Sequence, residues 1–209
     1  MKIGDKEFIE NALNVYEFDK TNIDPNLIQY VNMGKYGVVT DQKPLLLTCN
    51  LQSCIALIAY TKEFSFLAHM NVFEGNWKED FEVEGKDKVK RCKKIDDLYR
   101  EILKNKNKIT DTINIGLVLG VLPLSKDYQT RKVIERDLLN LFQNLRKNGI
   151  SSIRLPDINS FSFILDSTTG KIIHDGTECG NKTTNIAPNS NKEKTDVKEK
   201  WGIYCRYNW

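Results

Sequence analysis

The stretch "LLLTCNLQSCIALIAYTKEFSFLAHMN", residues 45–71, decides the fold. It contains three apolar segments separated by short polar turns, a pattern that is typical of three buried β-strands. The same stretch holds two of the five cysteines and one of the two histidines of the chain. The sequence therefore raises the question whether a reactive thiol and an imidazole meet on neighbouring strands.

The composition is that of a soluble globular protein. The chain has 209 residues, of which 40% are hydrophobic and 28% are charged, and this length suits one domain with or without appendages. A formal net charge of +3 is too small to imply nucleic acid as a partner. No apolar run reaches the roughly 20 residues that a membrane-spanning helix needs. We therefore expect neither a nucleic-acid nor a membrane partner, and the sequence does not indicate an oligomeric state.

The N-terminus and the cysteines bear on the compartment. The opening "MKIGDKEFIENAL" carries acidic residues where a signal peptide would have an apolar core. Five scattered cysteines argue against a disulfide framework and fit a reducing environment. We expect a cytoplasmic protein, or one that is exported by a route that needs no signal peptide.

Periodicity predicts an α+β fold of packed β layers flanked by helices. Helical spacing of apolar residues is seen at 94–105 and at 131–149, the second ending at a glycine. The nearly all-apolar run 113–124 predicts a strand that is buried on both faces. The charged stretch 74–94 reads as an exposed excursion. Strands and helices alternate without a regular βαβ rhythm, which favours α+β over α/β.

Three regions follow from these patterns. Residues 1–26 are expected to form a helical N-terminal extension, with an apolar helical face and a break at "NIDPN". Residues 27–176 form the main domain. Residues 177–209 form a polar tail with an aromatic C-terminus.

The second and third apolar segments of the opening stretch predict a β-hairpin. A two-residue loop would place Cys54 directly opposite His69, with β-carbons about 4.5–5.5 Å apart. A three-residue loop would instead pair Cys54 with Met70 and turn His69 to the other face. The sequence does not decide between these registers.

A paired thiol and imidazole would make a nucleophile. An imidazole lowers the pKa of a neighbouring thiol, and the resulting thiolate attacks an acyl carbon while the imidazolium protonates the leaving group. A third group normally orients the imidazole, and the Thr48 hydroxyl, six residues before Cys54, is the candidate. The backbone N–H groups of the intervening loop, with Gln52 and Ser53, could cradle an oxyanion.

Other assignments of the same residue types compete with this one. Buried free cysteines are common as small apolar residues, and Cys49 shares a strand face with leucines, which favours packing. His174 is the only rival base and reads as a surface residue at a hairpin end. Cys92 lies in a basic run and reads as an exposed, oxidisable thiol. A zinc site built from these cysteines and His69 has no recognised ligand spacing.

The ordered set of motifs resembles a known family. "YVNMGKYGVV", then "LLLTCNLQSCIALIAY" and "FLAHM", is similar to the CheD chemoreceptor glutamine deamidases, which have a Val-x-Met-Gly segment, a Thr six residues before the catalytic Cys, a Gly-Ser-Cys at a strand start and a following Ala-His. Cytotoxic necrotizing factor toxins share this Cys–His arrangement on the same core. "LLNLFQNLRKNGISSIRLPD" and "FILDSTTGKIIHDG" resemble the family's long helix with its following strand and its closing hairpin, so that the likeness runs from about Tyr30 to Asp175.

The resemblance implies a function and a site. It implies hydrolysis of a protein glutamine amide to glutamate through a thioester. Cys54 would be the nucleophile, His69 the general base and acid, and Thr48 the orienting hydroxyl. It implies no metal and no organic cofactor, and a protein carrying a target glutamine as the partner.

The chain departs from the family at several positions. Gln52 stands where the family has Gly, Ser65 and Phe66 replace a Gly-Gly pair, and the family's Gly-rich segment with Arg is absent. These departures favour a stand-alone or toxin-like enzyme over a chemotaxis protein. They also motivate an alternative, a non-catalytic binding module in which Gln52 and Phe66 plug the cleft. A thioester can also pass to an amine, so a transglutaminase or protease outcome stays open.

Overall fold

A computed structural model of the chain describes residues 9, 23–39, 45–72, 79–84, 88–121, 128–166, 171–174 and 183–185. Among these residues the protein combines several β-sheets with helical segments, which include the α-helices α1 (Lys93–Lys104) and α2 (Tyr128–Lys147) and the short 3₁₀ turn Pro25–Leu27. The predicted α+β class is therefore confirmed. None of the described helices is both long enough and apolar enough to cross a membrane.

The strands form two large sheets and one hairpin. In spatial order, the first sheet is β1 (Ile28–Tyr30), β3 (Leu45–Thr48), β11 (Phe163–Asp166), β12 (Lys171–His174) and β13 (Thr183–Asn185). The second sheet is β10 (Ile158–Asn159), β8 (Ile113–Leu119), β4 (Ile55–Tyr60), β5 (Ser65–Met70) and β2 (Tyr36–Val38), with β9 (Ser152–Arg154) also pairing with β8. The separate hairpin is β6 (Phe81–Glu84) and β7 (Lys88–Cys92).

Alternation along β4 and β5 sends their side chains into two different cores. One face packs under α1 and α2, and its residues include Leu57 and Phe66. The other face meets the first sheet, and its residues include Ile58 and Leu67. Successive side chains of a strand point to opposite faces, so a strand between two layers is expected to be largely apolar, as β4 is.

The central strand β8 behaves as its composition predicts. Ile115 and Leu117 enter the core under the helices, while Val118 enters the core between the sheets. The strand is thus buried on both faces. Helix α2 ends before Gly149, whose φ of 71° is a conformation that glycine adopts without strain, as is usual just past a helix end.

The outer face of the first sheet carries a third, smaller core. Leu45, Leu47 and Ile164 lie there with Ile9, which is helical and 1% exposed. Apart from this residue, the predicted N-terminal helix lies outside the described residues. Most of the predicted tail does as well, although β13 falls within that region and pairs with β12.

The stretch 74–94 is not an exposed excursion in the part that is described. Phe81 and Cys92 are 1% and 0% exposed, because the β6–β7 hairpin packs its inner side chains into the core under the helices. The expectation of an exposed Cys92 thiol is therefore wrong. The charges that suggested exposure alternate with apolar residues, and only the charged face of the hairpin meets solvent.

Candidate functional site

The β4–β5 hairpin has a register that differs from both predicted ones. Tyr60 pairs with Ser65, which leaves a four-residue loop, and Ala56 pairs with His69. Extending the ladder by one pair places Cys54 across from Asn71, one pair beyond Ile55 and Met70. Residues that pair directly share a face, so Cys54 lies on the same face as His69 and diagonal to it. Both residues are buried, with 6% and 2% of their surface exposed.

The hydroxyl of Thr48 connects the two sheets at this point. Thr48 Oγ1 lies 2.9 Å from His69 Nδ1 and 2.9 Å from the carbonyl oxygen of Val31. A carbonyl oxygen can only accept, so the single hydroxyl proton goes to Val31. Thr48 must then accept a hydrogen bond from the Nδ1–H of His69. The two hydrogen bonds of Thr48 therefore place the proton of the neutral imidazole on Nδ1, and Nε2 carries no proton.

His69 Nε2 is therefore a base with a free lone pair. It is buried and has no hydrogen-bond partner among the described residues. A buried polar atom without a partner is costly, and other side-chain atoms among the described residues share this condition, including Ser65 Oγ and Asn114 Oδ1. On the same face, the only thiol is that of Cys54 among the described residues of that core.

The side chain of Met33 lies against the thiol of Cys54, and we call it the cover of the thiol. In this structure Cys54 Sγ donates to Met33 Sδ at 3.9 Å, and not to the imidazole. Met33 itself is 45% exposed, so the side chain that contacts the thiol also reaches solvent. In the sequence, Met33 stands out only as part of the segment "YVNMGKYGVV", and that pattern predicts no role for its side chain.

A tight turn positions Met33. The Lys35 N–H donates to the Asn32 carbonyl at 3.0 Å, and Gly34, at the third position of the turn, has a φ of 77°, as in a type II turn. The turn is fastened to the site, because the Gly34 N–H donates to the His69 carbonyl at 2.8 Å and the His69 N–H donates to the Lys35 carbonyl at 3.1 Å. Met33 and His69 are thereby held side by side.

Burial keeps both reactive groups neutral in this state. Desolvation raises the pKa of the Cys54 thiol to about 11, with a smaller contribution from the negative charge of Asp80. Desolvation lowers the pKa of His69 to about 4. The thiolate–imidazolium pair expected from the sequence is therefore disfavoured while the site is closed, and forming it requires water, substrate or both to enter.

The loop before Cys54 offers fewer oxyanion donors than predicted. The Leu51 N–H donates to the Phe161 carbonyl at 2.7 Å, and the Gln52 N–H donates to the Asn50 carbonyl at 2.9 Å. The backbone N–H of Gln52 is thus already engaged in a hydrogen bond. The side chain of Gln52 lies at the exposed surface. The backbone amides of Ser53 and Cys54 are the candidates that remain for stabilising an oxyanion.

Gly120 supports this loop from the end of β8, and sequence analysis missed its role. Its N–H donates to the Cys54 carbonyl at 2.9 Å. A β-carbon at this position would lie 2.3 Å from the Gln52 carbonyl oxygen and 2.4 Å from that of Leu51, so no other residue fits without displacing the loop. An isolated glycine in a strand pattern signals such a close backbone approach.

A buried ion pair lies beyond the end of β5. The carboxylate of Asp80 is fully buried, accepts a hydrogen bond from the Asn71 N–H at 2.8 Å, and lies 3.5 Å from the ammonium of Lys94. This interaction holds the chain across from Cys54. This ion pair was not predicted, since Asp80 and Lys94 belong to the charged stretch that was expected to be exposed.

The other candidates lie apart from this site. Cys49 belongs to the small core on the outer face of the first sheet, and Cys92 belongs to the core under the helices. The three described cysteines thus lie in three different cores, and no cluster of metal-ligating side chains is found among the described residues. His174 ends β12, and its side chain is outside the described part of the chain.

The neutral burial of His69 predicts an acid-sensitive fold. In the unfolded chain the His69 imidazole binds a proton below its ordinary pKa of 6.5. In the native protein it stays neutral until the pH falls to about 4. The unfolded state therefore binds more protons, and stability falls as the pH drops through this window, by roughly 3 kcal/mol in total. Chemical denaturation of the wild type and of His69→Gln at several pH values measures the difference.

The comparison between these two variants isolates the imidazole. Asp80 titrates in the opposite sense, because desolvation raises the pKa of its carboxyl, and this contribution is common to both proteins. Equal pH dependence in wild type and His69→Gln would contradict the neutral, buried assignment of His69.

A comparison of the chain with protein-family models and with curated protein sequences gives no match of either kind. The functional conclusion therefore depends on the geometry of this site and on the motifs quoted from the sequence.

Proposed function

We propose that the protein is a cysteine amidohydrolase that converts a glutamine side chain of another protein to glutamate. The observation that carries this proposal is the hydrogen bond from His69 Nδ1 to Thr48 Oγ1, which leaves an unpartnered Nε2 on the face that also holds Cys54. The resemblance to the CheD and necrotizing-factor deamidases supports the same three residues in the same roles.

In the proposed reaction His69 Nε2 takes the proton of the Cys54 thiol. The thiolate then attacks the amide carbon of glutamine, and the resulting oxyanion accepts hydrogen bonds from the Ser53 and Cys54 backbone amides. The imidazolium protonates the departing nitrogen, ammonia leaves, and a thioester remains. His69 then activates water, which hydrolyses the thioester to glutamate and restores the thiol.

Two residues prepare this step. Thr48 fixes the ring orientation and the tautomer of His69, which is the role that a third group plays in catalytic triads. Gly120 allows the loop before Cys54 to adopt its backbone path. Catalytic hydrogen bonds are often loose before substrate binds, so a thiol that points to Met33 in the closed state is compatible with this proposal.

The test is deamidation of a pool of glutamine-containing proteins at neutral pH. We expect the wild type to release ammonia and to convert specific glutamines to glutamates, which mass spectrometry locates. In heavy-oxygen water the new carboxylate should carry the label. The matched control is Cys54→Ser, which changes one atom, and equal ammonia release by both proteins would rule the proposal out.

One observation favours a second candidate, a binding module without activity. The thiol is covered, and its pKa of about 11 is that of an unreactive cysteine. The contribution of Phe66 to such a plug is not supported, because Phe66 lies in the core under the helices. Amine transfer to the same glutamine, seen as a mass gain that depends on added amine, would indicate a transglutaminase instead.

A further inference from the structure

The cover over Cys54 has the shape of the proposed substrate. A methionine side chain is unbranched, and its sulfur occupies the δ position, where glutamine has its amide carbon. Met33 Sδ lies 3.9 Å from Cys54 Sγ, which is within about 1 Å of the separation at which a nucleophile attacks a carbon atom. The thioether thus lies close to where the electrophilic carbon of a glutamine must lie.

The cover can move without unfolding the site. The turn 32–35 is fastened to His69 through its backbone, so the main chain stays in place. Methionine has three rotatable side-chain bonds and adapts readily to different spaces, and Met33 is 45% exposed, so that solvent is available to receive it. A change of rotamer would uncover the thiol.

We propose that Met33 is an internal stand-in for the substrate, and that the space its thioether fills is the subsite for the unbranched side chain of the target glutamine. This inference rests on the proposed function. The methionine keeps the thiol buried and protonated until a glutamine side chain displaces it. Glutamine then brings its amide carbon to the place that the sulfur leaves.

The first experiment measures the rate at which iodoacetamide alkylates Cys54 in the folded protein at pH 7. We expect Met33→Ala to react about tenfold faster or more, because hydration returns the thiol pKa from about 11 towards about 8.5. Met33→Leu is the matched control, since it keeps a cover of similar size, and we expect it to react like the wild type. Equal rates for Met33→Ala and wild type would overturn the proposal.

The second experiment introduces a glutamine at position 33, next to Cys54. In Met33→Gln the introduced amide carbon should lie within reach of Cys54 Sγ. Attack expels ammonia and forms a thioester between positions 33 and 54, and hydrolysis of that thioester leaves a glutamate at position 33. We expect intact and peptide mass spectrometry to detect one of these two products, and to find neither in Met33→Gln combined with Cys54→Ser.

The two experiments separate failure of this inference from failure of the proposed function. If Met33→Ala alkylates rapidly and added proteins are deamidated while the introduced glutamine stays an amide, the subsite assignment is wrong and the enzyme assignment stands. If Met33→Ala alkylates rapidly and no glutamine is deamidated in any setting, the enzyme assignment fails, and the stand-in assignment fails with it. Conversion of the introduced glutamine that depends on Cys54 supports both.

Discussion

Loss of the Cys54 sulfur or of the His69 imidazole is expected to slow glutamine hydrolysis by about 10³-fold or more. Cys54→Ser leaves a hydroxyl, which is a far weaker nucleophile at neutral pH than a thiolate. His69→Ala removes the group that takes the thiol proton and later protonates the departing nitrogen. The steady-state rate of ammonia release on a purified protein substrate measures both effects.

The variant that lacks both groups is expected to lose hardly more activity than Cys54→Ser alone. The imidazole takes its proton from the thiol and later assists hydrolysis of the thioester, so it has little left to contribute once the sulfur is gone. Residues that act as one unit are strongly non-additive. If the two losses multiplied instead, Cys54 and His69 would act independently, and the proposed nucleophile–base pair would be wrong.

Phe66→Ala is expected to lower the free energy of unfolding by about 3–5 kcal/mol. Phe66 is 0% exposed in the core under the helices, and its ring stacks on that of Tyr36 with centroids 5.2 Å apart. Truncation leaves a cavity that neighbouring strands cannot close. Urea denaturation measures the loss, and Phe66→Leu, which keeps most of the volume, should lose clearly less.

The same variant tests whether Phe66 plugs the cleft. Phe66 and His69 are three positions apart on β5 and point to opposite faces, so in the folded protein Phe66→Ala should leave the alkylation rate of Cys54 unchanged. Selective acceleration of that rate, under conditions where the protein is fully folded, would contradict this assignment of faces and would revive the plugged-cleft alternative.

Much of the secondary structure follows from periodicity. The apolar runs at 45–49, 54–60 and 64–73 contain β3, β4 and β5, and the helical spacing at 131–149 lies within α2 except for its last two residues. These segments are long or strongly patterned, so local preference and tertiary burial agree. The β6–β7 hairpin was missed because its alternating pattern is short and is interrupted by charges at nearly every second position.

The candidate site was predicted only as a set of residue types. Cys54 and His69 could be named because they lie on the two arms of one predicted hairpin, and Thr48 because it precedes Cys54 by six residues. The family resemblance names the same three residues, and their catalytic roles stay a prediction. Whether Cys54 and His69 share a face depends on the length of one loop. Loops of two and four residues keep them on one face, and a loop of three separates them.

That loop is decided by contacts that no pattern displays. The Thr61 N–H donates to the Phe64 carbonyl at 2.7 Å, and the Glu63 N–H donates to Thr61 Oγ1 at 3.1 Å. These bonds close four residues into a turn. Burial of β4 and β5 on both faces then selects the register, because a slip by one would exchange the side chains of the two cores.

By itself, the sequence determined the α+β class, the strands that carry the site and the short list of reactive side chains, since these depend on local periodicity and residue chemistry. Only the tertiary structure decided which groups meet. Thr48 comes from one sheet, His69 and Cys54 come from the other, and Met33 comes from a turn beside them. Contacts between segments far apart in the chain form when layers pack, and a pattern along one strand does not encode what the neighbouring layer brings to it.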